Sequence, residues 1–201
     1  MFQDNIPRMR YESADALRLL ECEWEDTREF GFAYFEQNYG SMEWNLEMMV
    51  AVMDSERADV HSFGKKIVEK YLQPEDGAAF LLQLIQHPRP EIQAFAAQFL
   101  EKYALGQPDA LEKLNFYCAT VLLQVNKARK AKDMVYSFLK EEAMSSERSA
   151  TTVAHILNKV SLTTVAEDKA KYIELMRDLN GKYPSIFLDG FSPPSATIQI
   201  N

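Results

Sequence analysis

The 201-residue sequence predicts an all-α fold made of repeated helix pairs. Three observations predict it. One phrase occurs three times, as "WEDTREFGFAYFEQNY" (24–39), "RADVHSFGKKIVEKYL" (57–72) and "RPEIQAFAAQFLEKYA" (89–104), a period of roughly 33 residues. Within each copy the apolar positions fall at steps of three and four, as one buried helical stripe requires. A second phrase, "LRLLECEW" (17–24), "VAVMDSER" (50–57) and "LQLIQHPR" (82–89), precedes each copy at the same offsets.

Taken in order, residues 13–104 read as three helix–turn–helix units. In the second helices Phe30, Phe63 and Phe95 coincide, followed by the small residues Gly31, Gly64 and Ala96. Tyr34, Ile67 and Phe99 come next, then Phe35, Val68 and Leu100. Asp26, Asp59 and Glu91 stand at the starts, where free N–H groups and the helix dipole favour negative charge. A small residue after each Phe predicts a close approach by a neighbouring helix. In the first helices Leu17, Val50 and Leu82 align, as do Leu20, Met53 and Ile85. The connections are short, and Pro88 and Pro90 mark the third. No unit of this kind buries its apolar face alone, so neighbours must stack into a solenoid.

At these residues the chain resembles the HEAT and armadillo class of helical repeats. The second helices of HEAT units begin with an acid, then an aliphatic residue and Arg, with a small residue four after the aliphatic. Here that reads "DTREFG" (26–31), "DVHSFG" (59–64) and "EIQAFA" (91–96). Only Arg28 keeps the Arg, the usual first-helix proline is missing, and the period is shorter than most HEAT units. The resemblance implies a right-handed α-α superhelix whose second helices line a concave binding face.

Beyond residue 104 the period fades but helix pairs continue. "ALGQPDA" (104–110) is a break with Asp109 as candidate N-cap, and "ALEKLNFYCATVLLQV" (110–125) is a strongly apolar first helix. "KARKAKDMVYSFLKEEA" (127–143) follows, then the Ser-capped "SSERSATTVAHILNKVS" (145–161). "VAEDKAKYIELMRDLNGKYP" (165–184) closes with Asn180–Gly181 as the expected stop. The reading is a single solenoid domain over 1–184, with about five antiparallel pairs, regular in 13–104 and drifted in 105–184. An extended tail occupies 185–201.

A composition of 47% hydrophobic and 26% charged residues excludes a disordered chain. A chain of this length buries roughly 70% of its unfolded surface and needs no disulfide or metal to fold. The net charge of −8 disfavours nucleic acid. Residues 1–104 carry a net −9 and residues 105–201 a net +1, so the repeating half should tolerate a basic partner. Cys22 and Cys118 have no paired spacing and read as buried free thiols of a cytoplasmic protein. The opening "MFQDNIPRMR" lacks a signal-peptide core, and no apolar run reaches membrane-spanning length.

The candidate binding residues come from three places. The exposed side of the second helices offers Arg28, Glu29, His61, Ser62, Lys65, Lys66, Gln93, Ala97 and Gln98. The dense basic run "NKARKAKD" (126–133) offers Lys127, Arg129, Lys130 and Lys132 to an acidic segment or a phosphate. Phe32 stands where other units carry Lys65 and Ala97, so it is covered by residues 1–12 or belongs to an interface. The second alternative implies self-association, or docking of another domain of a longer protein at the N-terminal end. "EWEDTREF" with "DSERADVHSFG" resembles a repeat module of larger bacterial proteins. The acidic run "ECEWEDTRE" (21–29) reads as a solvated turn without calcium-loop spacing. His61, His87 and His155 are scattered singly, and neither a metal-ligand nor a phosphate-loop motif occurs. No cofactor is expected. The expected function is a non-catalytic scaffold that binds a protein or peptide. The alternative is an enzyme, since some alkylpurine DNA glycosylases are built of HEAT-like repeats; Trp24 and Trp44 with Asp26 or Asp54 are its candidate groups.

Overall fold

Every regular element among the described residues is helical, as the periodicity predicts, and none is a strand. The computed structural model describes residues 6–125, 128–163, 165–186 and 188, so Lys127 and the greater part of the tail lie outside them. The chain divides into two compact units, residues 1–80 and 81–201, and the boundary falls inside one helix.

The first unit holds α1 (Ile6–Tyr11), α2 (Ser13–Leu17), α3 (Glu25–Asn38), α4 (Leu46–Met53) and α5 (Ala58–Tyr71). The α2 path does not end at Leu17. Arg18 through Cys22 continue it with N–H bonds to the third residue back, a tighter 3-10 winding. The predicted first helix is therefore half α and half 3-10. Helix α3 opens on Glu25 and Asp26, and the Asp26 carboxylate accepts from the Thr27 N–H at 2.8 Å. Helix α4 is capped by Asn45, whose side-chain oxygen accepts from the Met48 N–H at 2.9 Å.

The small positions do what their alignment implies. A Cβ on Gly31 would lie 3.0 Å from Leu20 Cδ2 and 3.2 Å from Leu19 Cβ. A Cβ on Gly64 would lie 2.9 Å from Val52 Cγ1 and 3.1 Å from Met53 Sδ. Gly31 and Gly64, Leu19 and Val52, Leu20 and Met53 are each separated by one and the same repeat step. The two pairs thus close by one geometry, with the second helix seated against the first at a glycine. Around this seam lies an aromatic core: Phe35, Tyr39 and Trp44 meet at centroid distances of 4.8–5.7 Å, and Trp44 reaches Phe63 at 6.2 Å.

A 3-10 turn (Pro74–Asp76) leads into α6 (Gly77–Leu84), within which the second unit begins. There follow α7 (Pro90–Ala97), α8 (Phe99–Ala104), α9 (Pro108–Lys113), α10 (Asn115–Leu123), α11 (Arg129–Ala143), α12 (Glu147–Val160) and α13 (Ala166–Lys182). The predicted helix over 91–104 is broken at Gln98, and that over 110–125 at Leu114. Asp109 is not the cap: Gln107 precedes α9, and Asp109 sits in its first turn. Gly181 is not a stop, because α13 runs through it and ends at Lys182, ahead of Pro184. The left-handed glycine is Gly106, at φ 70° just past α8, where it ends the helix as a C-terminal glycine does. Its N–H is held at 2.6 Å by the carboxylate of Glu142, which is fully buried at the end of α11. Ser146 caps α12 by accepting from the Ser149 N–H at 3.1 Å.

Helix α11 packs on α7, α10 and α12, and α12 on α9, α10 and α13. Val135, Phe138 and Leu139 of α11 and Val153, Ile156, Leu157 and Val160 of α12 are buried together with Leu111, Tyr117, Leu175 and Leu179. These are the stripes that the helical spacing marks.

Candidate binding surface

The exposed side of the second helices is narrower than the sequence suggests. In the first unit Glu29, Ser62 and Lys66 are exposed and Lys65 is half-buried. His61 is 7% exposed, part of the α5 stripe that includes Val60 and Phe63, so it does not line an open face. In the second unit Gln98 is exposed, whereas Gln93 and Ala97 are buried. Gln93 faces inward because its Nε2 donates to the His87 carbonyl at 2.6 Å and pins the turn before α7. The Phe32 ring packs on Phe63 of α5 at a centroid distance of 5.0 Å and is half-buried.

Arg28 is committed to structure as well. Its Nε donates to Asp59 at 2.7 Å, while Nη1 donates to the carbonyls of Cys22 and Glu23 at 3.0 Å. One guanidinium thereby ties the end of the α2 path to the starts of α3 and α5. Burial raises the Asp59 carboxyl, but the Arg28 guanidinium and the Val60 N–H outweigh it and leave Asp59 below the ordinary carboxylate range. A carboxyl lowered on folding stabilises fully above its unfolded value, about 3.9, and the gain vanishes as pH falls through the folded value. Asp59→Asn should therefore lower the melting midpoint by a few degrees at pH 7. The gap to wild type should narrow as pH falls through the folded value; a gap that stays constant through that range would assign the loss to something other than this charge.

The basic run is the largest change from expectation. Arg129 pairs with Glu167 at 3.0 Å, and Lys132 with Asp168 at 2.7 Å. Asp133 pairs in return with Lys171 at 3.2 Å, and the Tyr136 hydroxyl donates to the Lys171 carbonyl at 3.2 Å. Lys132 is buried, so it serves α11–α13 packing, not an open partner surface. Of the run's described candidates only Lys130 is exposed with no described carboxylate against it. The acids at the start of α13 offset the unfavourable cations at the start of α11. A cleft of about 430 Å³ opens here between Pro90, Arg129, Lys132, Asp133, Asp168 and Lys171, with both signs of charge balanced across it. A matching set joins the first helices, where Arg148 of α12 reaches Asp109 and Glu112 of α9.

The apolar openings lie along the first helices. In the first unit a groove of about 260 Å³ runs between the α2 path and α4. In the second, a shallow depression of about 460 Å³ follows α10, where Phe116 and Leu123 are exposed. Sequence reasoning missed both, although Ala14, Leu17, Arg18 and Glu21, which line the first, stand at helical steps.

The remaining candidates resolve locally. Trp44 is 4% exposed inside the aromatic core, so it cannot join the exposed Trp24 in a base-stacking face. Glu21, Glu23, Glu25, Asp26 and Glu29 are exposed around the turn into α3, as expected of a solvated connection. His61 and His87 are buried and His155 is exposed; the described residues contain no cluster of three or more metal-ligating side chains. No helix among the described residues is long and apolar enough to cross a membrane.

Both cysteines are free, but only one is buried. Burial pushes the Cys118 thiol up to about 12, whereas Cys22 is half-buried beside the Arg28 guanidinium that grips its carbonyl. At pH 8 an aromatic disulfide reagent should modify one thiol per native chain within minutes and the second only on denaturation. Equal rates for both would contradict the packing of α10.

Compared with known protein families, curated proteins and solved structures, the chain matches none.

Proposed function

We propose that this chain is a non-catalytic helical-repeat scaffold: about five antiparallel pairs in a right-handed, HEAT-like superhelix that binds a protein or peptide partner. The observation that carries the reading is the repeated glycine seam. Gly31 against Leu19 and Leu20, and Gly64 against Val52 and Met53, recur at a single offset along the chain, which is how stacked repeats are built. The spacing of the polar links supports its continuation through the drifted half. In the second unit α11 joins α13, and α9 joins α12, by ion pairs between residues 36–39 apart. Stacked pairs leave grooves between successive helices, and such surfaces take extended or helical partners. Two free thiols fit a reducing, cytoplasmic setting.

The test is capture from a lysate of the native host, quantified by mass spectrometry. It compares wild type with the surface variants Glu29→Lys/Lys66→Glu and Ala51→Arg, all at exposed positions. A partner retained at near-equal stoichiometry by wild type and lost from one variant supports the scaffold. Loss of nothing, or retention of no protein at all, overturns it.

A further inference from the structure

The groove of the first unit has a chemistry of its own. Its floor is Leu20, Val52 and Val60, each no more than 3% exposed, and its walls are Ala14, Leu17 and Ala51. At about 260 Å³ it is smaller than the roughly 300–1,000 Å³ of small-molecule pockets, and it accepts one or two side chains. Its surroundings are acidic. Glu21 stands on the rim. Glu47 of α4 lies four residues before Ala51 and Asp54, the C-cap of α4, three residues after it, and both are exposed. The rim's cation, Arg18, lies 3.8 Å from Asp15. Residues 1–80 as a whole carry 8 Lys and Arg against 17 Asp and Glu, a net of −9.

We propose that this groove docks an amphipathic, basic segment of a partner protein. An aliphatic or aromatic side chain of the segment sits on the Leu20–Val52–Val60 floor, and its flanking Lys or Arg side chains meet Glu21, Glu47 and Asp54. The inference rests on the scaffold reading and names the partner's chemistry. Charge complementarity selects the occupant: an acidic rim steers and orients a cationic segment, while the buried anchor supplies affinity. A second copy presenting the same surface would bring two acidic faces together, so the occupant is a different chain.

The probe is a phage-displayed library of 16-residue peptides, panned on the full chain in 50 mM salt. Enriched peptides should carry a net charge of +3 or more and apolar residues at helical steps. One of them, synthesised and followed by fluorescence anisotropy, should bind at least tenfold more weakly to Ala51→Arg, which blocks the groove mouth. It should lose threefold or more with Glu21→Lys or Glu47→Lys, and weaken again in 300 mM salt. Melting curves of the three variants confirm the fold. Failure to enrich, enrichment of neutral or acidic peptides, or a Kd within twofold of wild type in all three variants overturns the proposal. So does a concentration-dependent dimer in the ultracentrifuge that Ala51→Arg abolishes, since the groove would then hold a second copy. If a captured host protein survives Ala51→Arg but is lost from Glu29→Lys/Lys66→Glu, the groove inference falls and the scaffold reading stands.

Discussion

Gly64→Leu is expected to destabilise the chain by about 3 kcal/mol, the upper end for overpacking a filled interface. In a chain of this size that is a fall of about 6–12 °C in the melting midpoint. The reason is the seam between α4 and α5. The first atom of any side chain at Gly64 already falls 2.9 Å from Val52 Cγ1 and 3.1 Å from Met53 Sδ. Leucine adds three carbons more, so α5 must lift off α4. Gly64→Ala is the informative control. Its methyl needs only a small shift of Val52 Cγ1, on a side chain stiff at χ1, and of the flexible Met53 Sδ. The roughly 1 kcal/mol by which alanine favours the helix over glycine offsets part of that cost. That variant should stay within about 1 kcal/mol of wild type in urea unfolding. Gly31→Leu should repeat the loss, because its Cβ meets Leu20 and Leu19 in the same way. If Gly64→Leu melts with wild type, the two helices do not close at this position.

The second large effect lies between α11 and α13. Asp168→Ala should cost about 3 kcal/mol, the lower end for stripping the partner from a buried charge. The Lys132 and Asp168 side chains are 10% and 17% exposed, with Nζ and Oδ2 at 2.7 Å, so the change leaves a largely buried ammonium group on the cleft wall without its partner. The double variant Lys132→Met/Asp168→Leu should recover to within about 1 kcal/mol of wild type, since an apolar pair of similar volume carries no desolvation cost. A neighbouring pair calibrates the result. Arg129 and Glu167 are 79% and 62% exposed, and Arg129→Ala should cost well under about 1 kcal/mol. Equal losses from Asp168→Ala and Arg129→Ala would mean that Lys132 reaches solvent.

The helix pairs were legible wherever apolar periodicity and packing coincide. Phe30, Gly31 and Tyr34 recur as Phe63, Gly64 and Ile67, and the glycines sit at the seams their alignment implies. The breaks at Gln98 and Leu114 were not legible, because both residues suit a helix. The exposure of the binding candidates was legible only in part, for a related reason. A stripe tells which residues face inward only when the width of the buried face is known. In α5 that face is wide enough to take in His61, and in α7 it takes in Gln93. The pairing of Arg129 and Lys132 with Glu167 and Asp168 was readable in principle. An acidic pair follows the basic run at a distance close to one helix pair, 38 positions on from Arg129 and 36 on from Lys132. That distance departs from the step of the apolar phrase, so aligning the repeats passes over it.

The two units therefore carry different adhesives. Between α2 and α5 the seam is mainly steric, set by absent side chains at Gly31 and Gly64, with the Arg28–Asp59 pair beside it. Along the α9–α12 and α11–α13 edges much of the grip is exposed opposite charge, which mobile ions shield within about 10 Å at 0.1 M salt. Brine should loosen the rim of residues 81–201 more than the seams of residues 1–80, where Arg28–Asp59 is an ion pair open to shielding. Ionic strength thus acts more strongly on one half of the molecule than on the other.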